Sequence, residues 1–206
     1  MASDVAIRCS CGGLEGRAHG LEPSVGIRLV CYCDDCQAFP WALDAADRVL
    51  DVHGGSDIFQ TSPARIEFTR GLENLACLRL TEKGLLRWYA SCCKSPICAT
   101  LAMPRVPFVA LVHSALDCGG SPDAVLGPSR GGVNARFAKG ERASLDAHDK
   151  APPSIILRFV RMIFRAWLRG DAKRSPFFRA GAPVAKPHIL SADELARVEA
   201  ARDAAG

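Results

Sequence analysis

The amino-acid sequence predicts a mainly β fold of antiparallel sheets, followed by an α-helical extension at its C-terminal end. Three observations carry that reading. Short apolar runs of four to seven residues, bounded by Gly, Pro, Asn or Asp, fill residues 5 to 113. Cysteines gather at the ends of several of these runs. Beyond residue 153 the apolar pattern changes to a helical period.

The strand-like runs are Val5–Cys9, Gly26–Tyr32, Arg48–His53, Arg65–Thr69, Leu75–Leu80, Leu85–Ala90 and Phe108–His113. In Ala64-Arg65-Ile66-Glu67-Phe68-Thr69-Arg70 apolar and polar side chains alternate, as on a strand with one face in the core and one in water. Ala38 to Ala46 reads as a short helical turn. Residues 1–113 are thus expected to form the β domain. Residues 114–153 shift to Gly, Pro, Ala, Ser and charge without a steady period, which predicts a loop or linker. Gly127 to Gly132 and Lys139-Gly140 lie there, but the G-x-x-x-x-G-K-[ST] order of a phosphate loop is absent.

Residues 154–206 make up the basic helical extension. Ser154, after two prolines, is expected to cap a helix from Ile155 to Arg169, with Gly170 at its stop. Arg158, Arg161, Arg165 and Arg169 recur at three- and four-residue intervals and so form one stripe. Either this helix docks on the domain with a solvated basic edge, or it contacts a membrane surface or a partner protein. A second helix is expected from Ser191, where Ser-Ala-Asp-Glu forms a capping box, to Arg202.

Composition narrows the function classes. With 49% hydrophobic and 23% charged residues in a chain of 206, wholesale disorder is excluded. A net charge of +4 is too weak a signal to predict nucleic acid as a partner. The N-terminus lacks a basic stretch followed by an apolar run, so a cytoplasmic location is expected. The longest apolar run, Ile155 to Leu168, is interrupted by three arginines. At ~1.5 Å per residue it reaches ~21 Å against the ~30 Å of a hydrocarbon core.

Ten cysteines in a reducing compartment point to metal ligands or single buried thiols. In Cys31-Tyr32-Cys33-Asp34-Asp35-Cys36, three thiols lie close enough to converge from one turn on a soft cation, zinc first. Cys9-Ser10-Cys11-Gly12-Gly13 ends one strand and Cys92-Cys93 ends another. Two such knuckles closing on one ion are the usual form of a structural zinc site. Three ligands at Cys31, Cys33 and Cys36 leave a fourth position open, as in a catalytic zinc. A ligand from Cys98, Cys77, His53 or Asp35 would instead close that site, and an iron–sulfur cluster is a third arrangement of the same thiols. Cys77 and Cys98 read as buried packing residues and Cys118 as incidental; no catalytic role is assigned to any residue beyond the metal site.

The order C-x-C-G-G, then C-x-C-x-x-C, then a strand ending in cysteine before Ser95-Pro96-Ile97 resembles the glutathione-dependent formaldehyde-activating enzyme family, which also includes centromere-protein-V-like proteins. That family's motifs run C-x-C-G, C-H-C-x-x-C and C-x-x-C-G-[ST]-P, and the likeness covers roughly residues 5 to 113. It implies an Mss4-like β-tent, antiparallel sheets pinned by zinc. Cys9, Cys11 and Cys93 match ligands of the family's structural zinc. Cys31, Cys33 and Cys36 match the second zinc, where the family joins glutathione to formaldehyde as S-hydroxymethylglutathione. The expected function is therefore a carbon–sulfur lyase or synthase acting on a small thiol and an aldehyde; the alternative is a non-catalytic zinc module using its basic helix for a partner or membrane surface.

Three positions depart from the family pattern. Ala90 stands where the last motif has its first cysteine, leaving Cys92 to replace it or the site short of a ligand. Lys94 stands in place of glycine, and Tyr32 in place of histidine. The tail from Pro152 has no counterpart in the minimal domain, so the chain looks like a divergent bacterial branch.

Overall fold

The computed structural model describes residues 2–142 and 145–205. Its strands in the first half are β1 (Ser3–Arg8), β2 (Glu15–Leu21), β3 (Ile27–Cys31), β4 (Ser56–Thr61), β5 (Ile66–Arg70), β6 (Leu75–Arg79), β7 (Leu86–Ala90), β8 (Ser95–Thr100) and β9 (Val109–Val112). Shorter ones follow: β10 (Leu116–Asp117), β11 (Gly132–Val133), β12 (Ala147–His148), β13 (Phe178–Arg179), β14 (Ala182–Pro183) and β15 (His188–Ile189). The helices are α1 (Asp34–Trp41), α2 (Ala46–Val49), α3 (Pro122–Leu126), α4 (Pro153–Leu168) and α5 (Ala192–Ala204). The fold is mainly β with a helical C-terminal end, as the sequence predicts.

Two larger sheets form the body. The smaller runs β10-β1-β2-β5 and the larger runs β12-β11-β3-β4-β9-β8-β7-β6-β15. From β3 to β6 the pairings are antiparallel, while β11, β12 and β15 add short parallel edges. Strand β1 shows the one-sided alternation expected of an outer sheet, with Val5 and Ile7 buried between exposed Asp4 and Arg8. At the centre, β8 and β9 are buried along their whole length. Trp88 of β7 lies in the core, donates its Nε1–H to Thr100 Oγ1 at 3.0 Å and meets the Phe177 ring at 5.1 Å.

Three strands carry too little pattern to be read from sequence. β8 is buried on both faces, so it has no alternation, and it contains Pro96. A register shift between Trp88 and Tyr89 on β7 lets that proline sit opposite Tyr89 without an amide hydrogen to donate. β2 holds two glycines, and a Cβ at Gly16 would lie 2.4 Å from the Glu67 carbonyl oxygen, so the close approach of β5 requires the glycine. β4 begins in Ser56-Asp57, which masks its apolar half.

The expected strand Arg48–His53 is corrected. Its first residues belong to α2, and only Leu50 makes an isolated bridge, to Ser56. Asp51 decides this, because its Oδ1 accepts the amides of His53 at 2.8 Å and Gly55 at 2.7 Å and turns the chain back. Residues 114–153, expected as a loop or linker, supply β10 to the smaller sheet, β11 and β12 to the larger one, and α3 between them.

Helix α4 starts two residues earlier than expected, with Pro152 at the cap and Pro153 in the first turn, so Ser154 is inside the helix and makes no cap. Gly170 stops it in the left-handed region, at φ +69°. Ile155, Phe159, Met162 and Ile163 turn inward onto the cluster that holds Phe108, Ala110 and Val133. Ser191 and Glu194 form the expected capping box of α5, which packs against α1. Among the described residues no helix is long and apolar enough to cross a membrane.

Candidate metal centres

The first thiol cluster joins the two sheets. Cys9 and Cys11 come from the β1–β2 turn, and Cys92 and Cys93 from the β7–β8 turn. The knuckle is formed by backbone amides, Gly12 N–H donating to Cys9 O at 3.0 Å and Leu14 N–H to the Cys9 side-chain Sγ at 3.2 Å. Gly12 takes φ +72°, and a Cβ on Gly13 would lie 2.9 Å from Cys92 Sγ, so the glycine pair clears the space the sulfurs occupy. Lys94 takes a left-handed backbone conformation, at φ +53°.

The sulfurs lie at 3.6 Å (Cys9–Cys11), 3.7 Å (Cys9–Cys92), 3.3 Å (Cys11–Cys92) and 3.9 Å (Cys92–Cys93). Four sulfurs each about 2.3 Å from one tetrahedral zinc would be about 3.8 Å apart. The set therefore fits such an ion, and all four cysteines are free thiols. Cys92 brings the fourth sulfur to this set, and Ala90 brings none. Ser95 Oγ lies 3.1 Å from Cys93 Sγ and donates to Ser10 Oγ, which also receives Arg48 Nη1 at 3.1 Å. Burial raises the Cys93 thiol, but its hydrogen bonds with Ser10, Ser95 and Cys11 together outweigh this and lower it to about 5.

The second cluster is local. Cys31 ends β3, Cys33 caps α1, and Cys36 lies in that helix's first turn. Cys36 N and Gln37 N both donate to the Cys33 carbonyl, at 2.9 and 3.1 Å, which folds the knuckle. Gln37 Nε2 ties it to the Tyr32 carbonyl at 2.7 Å and the Phe137 carbonyl at 2.9 Å. Cys31 and Cys33 Sγ are 3.4 Å apart, and all three sulfurs lie within 4.8 Å of one another.

The three thiols of this trio do not titrate alike. Hydrogen bonds from Cys33 and Cys36 lower the Cys31 thiol to about 3 despite burial. The same bond to Cys31 pushes Cys33 up to about 12, and Cys36 is raised by both neighbours. Without a cation the trio thus stabilises one thiolate and opposes the next two; a divalent ion removes that opposition.

The residues that would close the second site are engaged elsewhere. His53 Nδ1 meets the Lys139 carbonyl at 2.9 Å, Asp35 pairs with Arg87 at 3.3 Å, and Cys77 and Cys98 are buried in the first core cluster. Burial pushes the Cys77 thiol up to about 12. Tyr32 is buried, and its hydroxyl reaches Asp51 Oδ2 at 3.2 Å; it braces the 51–55 turn. Asn134 is the residue that sequence reasoning missed. Strand β11 pairs in parallel with β3 and carries Asn134 Nδ2 to 3.6 Å from Cys31 Sγ. Its only signal was the glycine pair Gly131-Gly132, beside which φ +62° at Asn134 continues a tight turn.

No curated protein matches the chain. A family model described as a family of unknown function, DUF6151, matches residues 1–188, a span that includes both thiol clusters and α4. The chain belongs to that family.

Proposed function

We propose that this protein binds two zinc ions and uses the second to add a small thiol to an aldehyde. Cys9, Cys11, Cys92 and Cys93 would close a structural site. Cys31, Cys33 and Cys36 would hold the second ion, which supplies a Lewis acid that favours the thiolate of a substrate of the glutathione type. The observation that carries the reading is the trio itself: among the described residues it gathers no fourth Cys, His, Asp or Glu. The likeness of the cysteine motifs to the formaldehyde-activating enzymes supports the same chemistry.

In that reaction the substrate sulfur forms a bond to the carbonyl carbon, the C=O π bond opens, and the thiol proton ends on the new hydroxyl, with no change of oxidation state overall. The chain's own groups have definite parts. Cys33 caps α1 and Cys36 lies in its first turn, so both belong to the positive end of the helix dipole. Asn134 donates toward Cys31 and holds its orientation. Apolar Phe108, Val133 and Ile155 belong to the cluster against which Cys33 and Cys36 pack, and this lowers the local dielectric.

The test is metal content, coordination and turnover together. Wild-type protein is expected to carry two ions. A Cys31→Ser/Cys33→Ser/Cys36→Ser variant is expected to keep one, stay folded and lose thiol–aldehyde adduct formation. With cobalt in place of zinc, glutathione alone should change the absorption of wild-type protein and not of the variant. Full adduct formation by the triple variant would overturn the reading. Two closed four-sulfur sites that ignore glutathione would favour a non-catalytic module.

A further inference from the structure

Helix α4 is apolar over two adjoining arcs of its surface. One faces the core through Ile155, Phe159, Met162 and Ile163. The other carries Ile156, Leu157, Val160, Phe164, Trp167 and Leu168, each 51–63% exposed. At ~100° per residue these six cover an outward arc of about 120°. The remaining exposed large apolar residues described, such as Val52, Leu72 and Met103, come from separate segments of the chain. Phe164 and Trp167 stack, with ring centroids 6.5 Å apart.

Along one flank of that arc runs the arginine row. Arg158, Arg161, Arg165 and Arg169 line a groove of about 610 Å³ together with Arg65 and Arg130, and no carboxylate lines it. Arg65 donates to the carbonyls of His19 and Gly20, Arg158 to that of Pro23, and Arg169 pairs with Asp171. Arg130, Arg161 and Arg165 have no carboxylate partner among the described residues.

We infer that α4 seats this protein on the surface of an anionic phospholipid bilayer, with the six apolar side chains at the headgroup boundary and the arginines on lipid phosphates. Charge complementarity selects this occupant. α4 contains no Asp or Glu, so a second copy laid face to face would leave both arginine rows without counter-charge on either helix. A sheet of anionic headgroups supplies it along the whole flank, and the outward arc is a convex helix surface of the kind that lies in an interface. The exposed Trp167 is an aromatic suited to that depth. This inference is independent of the thiol chemistry proposed above.

The test uses the full, zinc-loaded chain with vesicles of phosphatidylcholine alone and of phosphatidylcholine mixed with phosphatidylglycerol. Sedimentation with the mixed vesicles only is expected, weakening as salt rises. Trp167 should shift its emission to the blue on binding, and Trp167→Phe should lose that shift. Phe164→Asp with Leu168→Asp should abolish binding while circular dichroism stays native, because both side chains are exposed. Arg161→Gln with Arg165→Gln should weaken binding by about 30-fold. Absence of binding to the mixed vesicles, or binding unchanged in these variants, overturns the inference. So does a dimer in solution that Phe164→Asp dissociates, since a second copy would then cover the face.

Discussion

Lys94 holds a conformation that favours glycine, at φ +53°, in the turn that presents Cys92 and Cys93. Its ammonium pairs with Asp44 at 2.6 Å, but both side chains are well exposed, so that pair contributes at most about 1 kcal/mol. The left-handed conformation costs about 1 kcal/mol or more. Lys94→Gly is therefore expected to leave stability nearly unchanged, and Lys94→Val to lower it by about 1–2 kcal/mol, compared by urea denaturation. His19 offers a second test at this scale. Its ring lies 2.9 Å from both Asp4 and Glu67, and these bonds raise its pKa above 6.5. Because the folded value is the higher one, the stabilisation is full below about pH 6.5 and is lost as pH rises through the folded value. An NMR titration midpoint above 6.5, and loss of that slope in His19→Asn, are the expected results. The thiol clusters were legible in the sequence because their ligands are paired locally. Asn134 was not, because only the parallel pairing of β11 with β3 brings it to Cys31.

The segment between α4 and β13 is anchored by one buried carboxylate. Asp171 accepts from Ser62 at 2.8 Å and pairs with Arg169 and Arg174. Burial raises its carboxyl, but the arginines and Ser62 outweigh that and hold it below 3.8. A lowered folded value contributes stability above about pH 3.8 that is lost as pH falls through it. Asp171→Ala is expected to cost about 1–3 kcal/mol, since the bonded Ser62 loses its acceptor while the two arginines can turn to water. Legibility of the other elements followed their position. Outer strands such as β1 and β5 alternate and could be read; β8, buried on both faces, could not. Arg48–His53 carried a strand's composition, and the bonds to Asp51 overrode it.

At the scale of the whole molecule, the first thiol cluster fastens the smaller sheet to the larger one, since its cysteines come from the β1–β2 and β7–β8 turns. A ligand present at about a thousand times its dissociation constant stabilises by about 4 kcal/mol. If the first cluster holds zinc as proposed, chelation is expected to lower the melting temperature by about 10 °C, measured by calorimetry with and without a strong chelator. Cys92→Ala should reproduce most of that loss, while Cys33→Ser should not. A mainly β body and its cysteine pins were readable from strand ends and thiol spacing. The strand order of the larger sheet was not, because pairings such as β11 with β3 link residues far apart in the chain.

The two clusters also differ in what must happen before each can take up metal. Cys31, Cys33 and Cys36 lie on one knuckle, so an extended chain fresh from synthesis already presents them together. Cys9 and Cys92 are 83 residues apart and meet only once β1–β2 and β7–β8 have docked. Metal uptake during refolding should accordingly show a fast phase at the Cys31, Cys33 and Cys36 trio and a slow phase that keeps step with sheet assembly, so that the slow phase clocks the completion of the fold.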